Sequence, residues 1–323
     1  MNIGIVGATG MVGQKIREVL AERNIVIDNL YLFASPRSAG KKISFKNRVL
    51  VVEVLNDTAF DGKDLDVLFF AAGGSISEKY VPLAIEMGIK VIDNSSNFRL
   101  DDDVLLVVPE VNGDTIQKDT KLVSNPNCST IQSVYPLKII DDLFGIKRVV
   151  YTTFQAVSGA GHEGVKDLET GEVNTFSRNI QKNVIPQIDV FMEDGYTKEE
   201  YKMIKETQKI LGKPDLPVTA TAVRVPIVNT HAISINVSCE NEVDMDQLVH
   251  AFKTTPGIRY VALPDFPTAQ DADGSDDVFV GRLRKDYSID HGINLWVVAD
   301  NIRKGAATNT VQILESMIKV HNN

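Results

Sequence analysis

The feature that most constrains the fold is a glycine-rich turn that directly follows a short apolar segment near the N-terminus. Residues 2–6 read Asn-Ile-Gly-Ile-Val, which suits a buried parallel strand. Gly7, Gly10 and Gly13 follow, and an amphipathic helix is predicted through about Glu22. Strand, glycine turn and helix together predict a dinucleotide site, because the backbone can approach a pyrophosphate at the helix N-terminus. The candidate cofactor-binding residues in this turn are Gly7, Thr9, Gly10, Met11, Val12 and Gly13.

The turn after the second predicted strand, residues 29–34, indicates which dinucleotide binds. NAD-preferring proteins carry an acidic residue near this point, where it binds the ribose 2′-hydroxyl. This chain instead has Ser35, Arg37 and Ser38, whose hydroxyls and guanidinium suit a 2′-phosphate that a carboxylate would repel. The turn therefore predicts NADP as cofactor, and an ordinary solvated turn is the alternative.

Further strands, predicted at 49–55, 67–72 and 90–93, continue the first part of the chain. With a helix predicted at 77–87, they give the β–α alternation of a mostly parallel sheet. Gly73 ends one strand and can let the backbone pass close to the nicotinamide half of a cofactor. Arg99 follows another strand, at the edge where such sheets bind ligands, and is a candidate for holding a phosphate or carboxylate. A surface arginine without a role is the alternative.

Cys128 lies where an apolar segment, residues 121–123, passes into a predicted helix at 130–143. Unpaired backbone N–H groups and the helix dipole favour a thiolate at a helix N-terminus. The residues beside Cys128 are polar, so the pattern indicates an activated nucleophile more than a core cysteine. A small residue that fills a turn is the alternative. Pro136 should kink this helix or mark its end.

The second half of the chain has two further groups of candidate residues. Gln155 ends a predicted strand at 148–155 and can donate a hydrogen bond to a reacting oxygen. The small residues at 156–161 let a ligand approach the backbone closely, and they include Ser158 and Gly159 as candidate cofactor-binding residues.

Charged residues and one histidine follow. Glu199 and Lys202 lie at i and i+3 of a predicted helix at 198–211, where a solvated salt bridge is the simpler interpretation. Arg224 is followed seven residues later by His231, which begins an alternating strand pattern. Cys239 lies on the apolar face of that strand and is predicted to be structural. His231 has the same parity, so a core histidine remains the alternative.

Composition excludes several classes of function. A net charge of −9 argues against nonspecific binding to nucleic acid or to anionic membranes. No apolar segment approaches the roughly 20 residues that span a bilayer, and the chain starts directly with a strand, so no signal peptide is expected. Two cysteines suggest a reducing compartment, and no cluster has metal-ligand spacing. We expect a cytoplasmic protein without a metal.

Together these motifs resemble the aspartate-β-semialdehyde dehydrogenase family over nearly the whole chain. The segments that carry the resemblance are 7–13, 35–40, 94–99, 124–130, 154–161, 199–202, 224–231 and 303–307. The resemblance implies NADP-dependent reductive dephosphorylation of aspartyl-β-phosphate to aspartate semialdehyde, on the route to lysine (through diaminopimelate), methionine and threonine. It also implies an α/β chain with a Rossmann-type NADP-binding domain (residues 1–127 and about 305–323) and a second α+β catalytic and dimerisation domain (128–304). A homodimer or a dimer of dimers is expected.

The resemblance also implies a role for each candidate residue. Cys128 would form a thioester, His231 would act as the acid/base and Gln155 would orient the thioester. The remaining substrate-binding residues would be Arg99, Asn127 and Lys202 for phosphate, Arg224 for the α-carboxylate and Glu199, or its neighbour Glu200, for the amine. N-acetyl-glutamyl-phosphate reductase, which has the same plan, and an NADP-binding redox sensor without turnover are the alternatives.

Overall fold

The computed structural model of the chain describes residues 1–322 and divides into two units. The first contains Met1–Pro126 and the described residues from Ala306 onward, and the second contains Asn127–Gly305. The strands are β1 (Asn2–Val6), β2 (Asn29–Ala34), β3 (Lys42–Phe45), β4 (Arg48–Val54), β5 (Val67–Phe70), β6 (Lys90–Asp93), β7 (Leu105–Leu106), β8 (Leu122–Ser124), β9 (Ile146–Gln155), β10 (Val218–Arg224), β11 (His231–Cys239), β12 (Ile258–Val261), β13 (Val278–Asp286) and β14 (Gly292–Ala299). The α-helices are α1 (Met11–Glu22), α2 (Gly74–Glu86), α3 (Pro109–Asn112), α4 (Cys128–Phe144), α5 (Gly161–Thr170), α6 (Lys198–Ile210), α7 (Met245–Thr254), α8 (Ala269–Ala272) and α9 (Asn309–Asn322).

The first unit is built on a sheet with strand order β3-β4-β2-β1-β5-β6-β8-β7. All of its pairings are parallel except that of the short strand β3 with β4. Parallel strands need crossover connections, and α1 and α2 supply two of them, between β1 and β2 and between β5 and β6. The predicted β–α alternation is therefore confirmed.

Both faces of this sheet are covered, because its strands are apolar at successive positions. In β1, Ile3 and Ile5 belong to one core cluster, which also contains buried residues of α1 and α9. The neighbouring Val6 belongs to a second cluster on the opposite face, with residues of α2 such as Val81. Each such side chain contributes roughly 1.5–3 kcal/mol by leaving water. Apolar residues in consecutive positions thus fix a sheet with helices on both faces.

The parallel strands end level with one another, and this determines where the loops lie. Val6 pairs with Phe33 on one side and with Phe70 on the other, while Phe70 pairs with Asp93 and Asp93 with Ser124. The segments after these strands therefore leave the same edge of the sheet. Open α/β sheets bind their ligands at this edge, where the strand order reverses around β1.

The second unit contains a mixed sheet with strand order β10-β9-β11-β14-β13-β12. Among the described strands of this second sheet, only the β9–β10 and β12–β13 pairings are parallel. Helix α4 packs against α6 and against strands of this sheet, and α6 also packs against β10. The second unit therefore has the predicted α+β organisation.

Several predicted boundaries were wrong in detail. Helix α4 runs through Pro136 to Phe144, so this proline does not mark the end of the helix. The buried apolar surface of α4 favours its continuation, although a proline removes one backbone hydrogen bond. Helix α2 starts at Gly74, three residues before its predicted start at Ser77, and β5 ends at Phe70 instead of residue 72.

Candidate active site

Cys128 is the first residue of α4, as its sequence position predicted. The preceding Asn127 caps the helix, since its side-chain oxygen accepts hydrogen bonds from the backbone N–H groups of Ser129 and Thr130, at 2.9 and 3.3 Å. A Cβ added to Gly305 would lie 2.8 Å from the Cβ of Cys128, so only glycine leaves this cysteine its space. Cys128 is partly exposed, which a nucleophile requires.

The other cysteine has a contrasting environment. Cys239 is buried, and burial, assisted by the negative charge of Asp141, raises the pKa of its thiol to about 11. A thiol with so high a pKa is unreactive near neutral pH. The prediction that Cys239 is structural agrees with this placement.

Glu199 is the side chain on which the polar residues of the second unit converge. Its Oε1 accepts hydrogen bonds from Asn127 Nδ2 at 2.8 Å and from Gln155 Nε2 at 3.2 Å. Its Oε2 accepts one from Lys202 Nζ at 3.1 Å. Burial by itself raises the pKa of Glu199, but the charge of Lys202 and the hydrogen bonds outweigh it and lower the pKa to about 2. A carboxylate that is ionised at neutral pH therefore lies at the centre of this group.

The neighbouring Glu200 has a different, structural position. Its carboxylate accepts hydrogen bonds from the backbone N–H groups of Thr197, at 2.6 Å, and Ala222, at 2.9 Å. The side chain of Thr197 in turn accepts from the N–H of Glu200, which completes a capping box at the start of α6. Sequence alone left open which of the two acids faces the candidate site, and this geometry favours Glu199.

His231 and Arg224 are held by the same short segment of backbone. The N–H of Ala156 donates to His231 Nδ1 at 3.0 Å, and Arg224 Nη1 donates to the carbonyl oxygen of Ala156 at 2.6 Å. Nε2 of His231 is buried and has no hydrogen-bond partner in the described part of the chain. A Cβ on Gly159 would lie 3.0 Å from Arg224 Nη1 and 3.3 Å from His231 Nε2. The absence of a side chain at Gly159 therefore leaves open the space that these two groups face.

The protonation state of His231 follows from these contacts. Its Nδ1 accepts a hydrogen bond, so in the neutral ring the proton is on Nε2. Burial, and then the positive charge of Arg224, lowers the pKa of His231 to about 3. Burial also lowers the pKa of Arg224, which the negative charge of Glu199 and that of Cys128 in its thiolate form oppose. The guanidinium stays charged at neutral pH. His231 therefore presents an N–H donor near neutral pH.

In the first unit, the predicted cofactor residues lie at the carboxyl edge of the parallel sheet. Gly7 has a φ of +82°, and a Cβ there would lie 2.4 Å from the carbonyl oxygen of Ala71. A Cβ on Gly13 would lie 2.3 Å from the carbonyl oxygen of Gly7. Glycine is thus required at both positions to pack the turn against its neighbours. Gly10 and Gly73 occupy the N-cap positions of α1 and α2 without a side-chain cap.

The two uncapped helix ends suit a pyrophosphate, because their N–H groups remain available to an anion. Thr9 Oγ1 lies 3.3 Å from the hydroxyl of Ser38, which brings the glycine turn beside the predicted 2′-phosphate turn. Ser35 and Arg37 are exposed there, Met11 and Val12 are half-buried, and Ser38 is buried. The residues present therefore fit a dinucleotide.

The remaining predicted residues have these positions. Arg99 is buried, and its Nη2 donates to the carbonyl oxygen of Asn94 at 2.9 Å, at the same edge of the first unit. Ser158 is buried in the second unit, where its hydroxyl accepts a hydrogen bond from Asn301 Nδ2 at 3.0 Å.

Three contacts were missed by the sequence interpretation. Glu206 Oε2 accepts from the N–H of Asn127 at 2.6 Å, Asp189 Oδ2 accepts from Lys202 Nζ at 2.9 Å, and the Ala156 amide fixes His231. Glu206 follows Glu199 by seven residues on one helix face, so helical periodicity could have identified it. Asp189 lies outside the helices and strands and gave no such signal.

Within residues 1–322, no group of three or more His, Cys, Asp or Glu side chains is placed to hold a metal ion. In the same part of the chain, no helix is both long and apolar enough to cross a membrane.

Comparisons with known proteins agree with this division of the chain. A family model described as semialdehyde dehydrogenase, NAD binding domain, matches residues 2–119, and one described as semialdehyde dehydrogenase, dimerisation domain, matches residues 137–304. Aspartate-semialdehyde dehydrogenase 2 of Vibrio cholerae is 48% identical over an alignment of 331 positions that covers 98% of each chain. The crystal structure of aspartate semialdehyde dehydrogenase II from Vibrio cholerae, complexed with ASA, superposes with a TM-score of 0.94 at 46% identity and covers 98% of each chain. Aspartate semialdehyde dehydrogenase from Candida albicans, solved with NADP, has a TM-score of 0.77 at 25% identity and covers 99% of each chain.

A Rossmann-type NAD-binding unit, joined to an α+β dimerisation unit with a cysteine at a helix start, defines a semialdehyde dehydrogenase. This class consists of oxidoreductases that use a nicotinamide dinucleotide. Identity of 48% over nearly the full length specifies the member: the chain belongs to the aspartate-semialdehyde dehydrogenase family.

Proposed function

We propose that this enzyme reduces aspartyl-β-phosphate with NADPH to aspartate β-semialdehyde and inorganic phosphate, reversibly, in the biosynthesis of lysine, methionine and threonine. The observation that carries the proposal is the grouping in one unit of Cys128 at a helix start with one buried anion and a buried cation, Glu199 and Arg224. Aspartyl phosphate carries an ammonium group, a carboxylate and a phosphate, so it needs counter-charges of both signs.

Arg224 and Glu199 have the properties needed to orient the amino-acid part of this substrate. Arg224 is buried and charged, and it would pair with the α-carboxylate. Glu199 stays ionised because its pKa is about 2, and it would accept a hydrogen bond from the α-ammonium group. In the structure, the side-chain amides of Asn127 and Gln155 donate hydrogen bonds to Glu199. A bound ammonium group would compete with these two donors for the carboxylate. An N-acetylated substrate has no ammonium group, so the ionised Glu199 disfavours the alternative reductase.

Cys128 is the proposed nucleophile. Its thiolate, favoured by the helix N-terminus and by the nearby charge of Arg224, would attack the acyl carbon. The carbon–oxygen bond to phosphate then breaks, phosphate leaves with the electron pair, and an aspartyl thioester remains on the sulfur. Gln155, at the end of β9, is suited to orient this thioester.

His231 is proposed to donate a hydrogen bond to the oxygen of the acyl group. Its Nε2–H has no hydrogen-bond partner among residues 1–322 and can donate to the oxygen that becomes negative when the carbonyl carbon is attacked. The Ala156 amide holds Nδ1 and so keeps the proton on Nε2. The geometry supports His231 as a proton donor to the acyl oxygen more directly than as the base that removes the proton of the Cys128 thiol.

NADP is the proposed cofactor of the first unit. The uncapped helix start at Gly10 would hold its pyrophosphate, and Gly73 would let the backbone pass close to its nicotinamide half. Ser35, Arg37 and Ser38 would bind its 2′-phosphate. The Candida albicans relative, which was solved with NADP, supports this choice. When bound, the reduced cofactor supplies the hydride that converts the thioester to the aldehyde.

Phosphate is proposed to bind Lys202 and Asn127 of the second unit, which the resemblance assigns to it. Arg99, in the first unit, is proposed separately as a residue that binds a phosphate or carboxylate. We further propose that the enzyme is a cytoplasmic homodimer or a dimer of dimers. Its two cysteines suit a reducing compartment, and one unit matches a dimerisation domain.

The test is the phosphate-dependent oxidation of two semialdehydes by the purified enzyme with NADP. We expect turnover of aspartate semialdehyde and at least about 100-fold less with N-acetyl-glutamate semialdehyde, because a site built to bind an ammonium group rejects a substrate without one. Cys128→Ser should lower kcat by at least about 1,000-fold, and Cys239→Ser is the matched control. Turnover of the acetylated substrate alone would favour the other reductase, and full activity of Cys128→Ser would exclude the thioester route.

A further inference from the structure

Asp189 lies in the irregular segment that precedes α6, and its carboxylate has two separate contacts. Oδ1 accepts a hydrogen bond from the N–H of Val190 at 2.9 Å. Oδ2 accepts one from Lys202 Nζ at 2.9 Å. The backbone of Asp189 has a φ of +68°, a left-handed conformation that Asp and Asn tolerate better than most residues. One oxygen thus fixes the turn, and the other faces the lysine.

Lys202 therefore lies between two carboxylates, those of Glu199 and Asp189, at 3.1 and 2.9 Å. Burial by itself lowers the pKa of Lys202, but the two acids outweigh this and raise it. The lysine carries a full positive charge, and that charge is already compensated within the protein. A phosphate that binds Lys202 must compete for it with these anions.

The two carboxylates differ in how easily they can release the lysine. Glu199 is buried, with 6% of its side chain exposed, and three donors hold it. The side chain of Asp189 is 32% exposed, so water can hydrate its oxygen when the lysine moves away. The contact with Asp189 is therefore the one that an arriving anion displaces at lower cost.

We propose that Asp189 is a specificity-determining counter-ion, which occupies Lys202 when phosphate is absent and competes with phosphate for it. The inference rests on the proposed role of Lys202 as a phosphate ligand. Asp189 would weaken the binding of phosphate and help its release after the acyl group has been transferred to Cys128. It leaves the binding of the amino-acid part, at Arg224 and Glu199, unaffected.

The experiment compares Asp189→Asn with the parent enzyme in the oxidation of aspartate semialdehyde, with inorganic phosphate varied at constant ionic strength. Asparagine tolerates the positive φ and keeps an oxygen for the N–H of Val190, so only the charge is lost. We expect the KM for phosphate to fall by about 3- to 10-fold. The KM for the semialdehyde should stay within about twofold, a split that general loosening of the fold would not produce.

Two further variants make the outcome decisive. Glu193→Gln removes an exposed negative charge from the same segment and should leave the KM for phosphate unchanged. Lys202→Met should raise it by at least about tenfold. An unchanged KM in Lys202→Met would overturn the phosphate role of this lysine and the inference with it. A raised KM in Lys202→Met, together with an unchanged or raised KM in Asp189→Asn, would overturn the inference alone.

Discussion

At the scale of single residues, the candidate site depends on the space beside Gly159, the protonation state of His231 and the charge of Glu199. Gly159 contributes no side chain, and the space that it leaves open is bordered by Arg224 Nη1 and His231 Nε2. His231 contributes a neutral ring, because the Ala156 amide occupies one nitrogen and burial disfavours the charged form. Glu199 contributes a negative charge, because neighbouring hydrogen-bond donors keep its carboxyl group ionised. The chemistry thus depends on the environment of each residue.

Arg37 permits a prediction about the cofactor at this scale. The guanidinium is exposed beside Ser38, where it can pair with a 2′-phosphate, a group that NAD lacks. Arg37→Ala should raise the Kd for NADP by at least about tenfold and leave that for NAD within about twofold. Cofactor titration followed by fluorescence measures both. Lys42→Ala removes another exposed cation of the same unit as a control, and equal losses for the two cofactors would exclude the proposed contact.

At the scale of elements, helix α6 organises the anionic and cationic side chains of the second unit. Glu199, Lys202 and Glu206 recur every three or four residues, so they lie on one face of the helix. The capping box of Thr197 and Glu200 fixes where the helix begins and therefore which residues occupy that face. The start of α4 is fixed similarly, by the side chain of Asn127.

The cap of α6 gives a prediction about stability. Thr197→Ala removes the oxygen that accepts from the N–H of Glu200, and should lower the free energy of unfolding by about 1 kcal/mol. Thr197→Ser retains the hydroxyl and should lose much less. Urea denaturation of the parent and both variants measures the difference. Equal losses in the two variants would mean that the methyl group of Thr197, and not its hydroxyl, stabilises the helix start.

At the scale of the whole molecule, the buried titratable groups determine how stability depends on pH. The pKa of His231 falls from 6.5 in an unperturbed histidine to about 3 in the folded protein, so the unfolded chain binds more protons between these values. Stability from this group is complete above about pH 6.5 and is lost as the pH decreases below it. Glu199 adds a second loss, between its ordinary pKa of 4.5 and about 2.

We therefore expect the free energy of unfolding to fall by about 2 kcal/mol between pH 8 and pH 5, through His231 alone. Urea denaturation at pH 8, 6.5 and 5 tests this. His231→Gln cannot become protonated and should flatten the dependence in this range. His250→Gln replaces an exposed histidine and should retain the parental slope. The same slope in the parent and in His231→Gln would rule out buried His231 as the cause.

Local patterns were sufficient to predict much of the fold. The apolar segment before Gly7 and the β–α alternation specify the parallel sheet, because its central strands must bury both faces. The cysteine at the start of α4 was predictable as well, since polar capping residues precede an apolar helix. Of the two outcomes predicted for Pro136, the end of the helix was wrong, because the burial of α4 outweighs the backbone hydrogen bond that a proline removes.

The sequence by itself determined the order of strands and helices, the glycines of the first unit and the residue types that carry the chemistry, because these depend on neighbours within a few positions. Only the tertiary structure decided that Asn127 and Gln155 meet on Glu199, that Ala156 fixes the proton of His231 and that Asp189 faces Lys202. These contacts join residues from different segments, up to 75 positions apart for Ala156 and His231. Local spacing cannot specify such contacts, because long-range packing of the strands and helices brings the residues together.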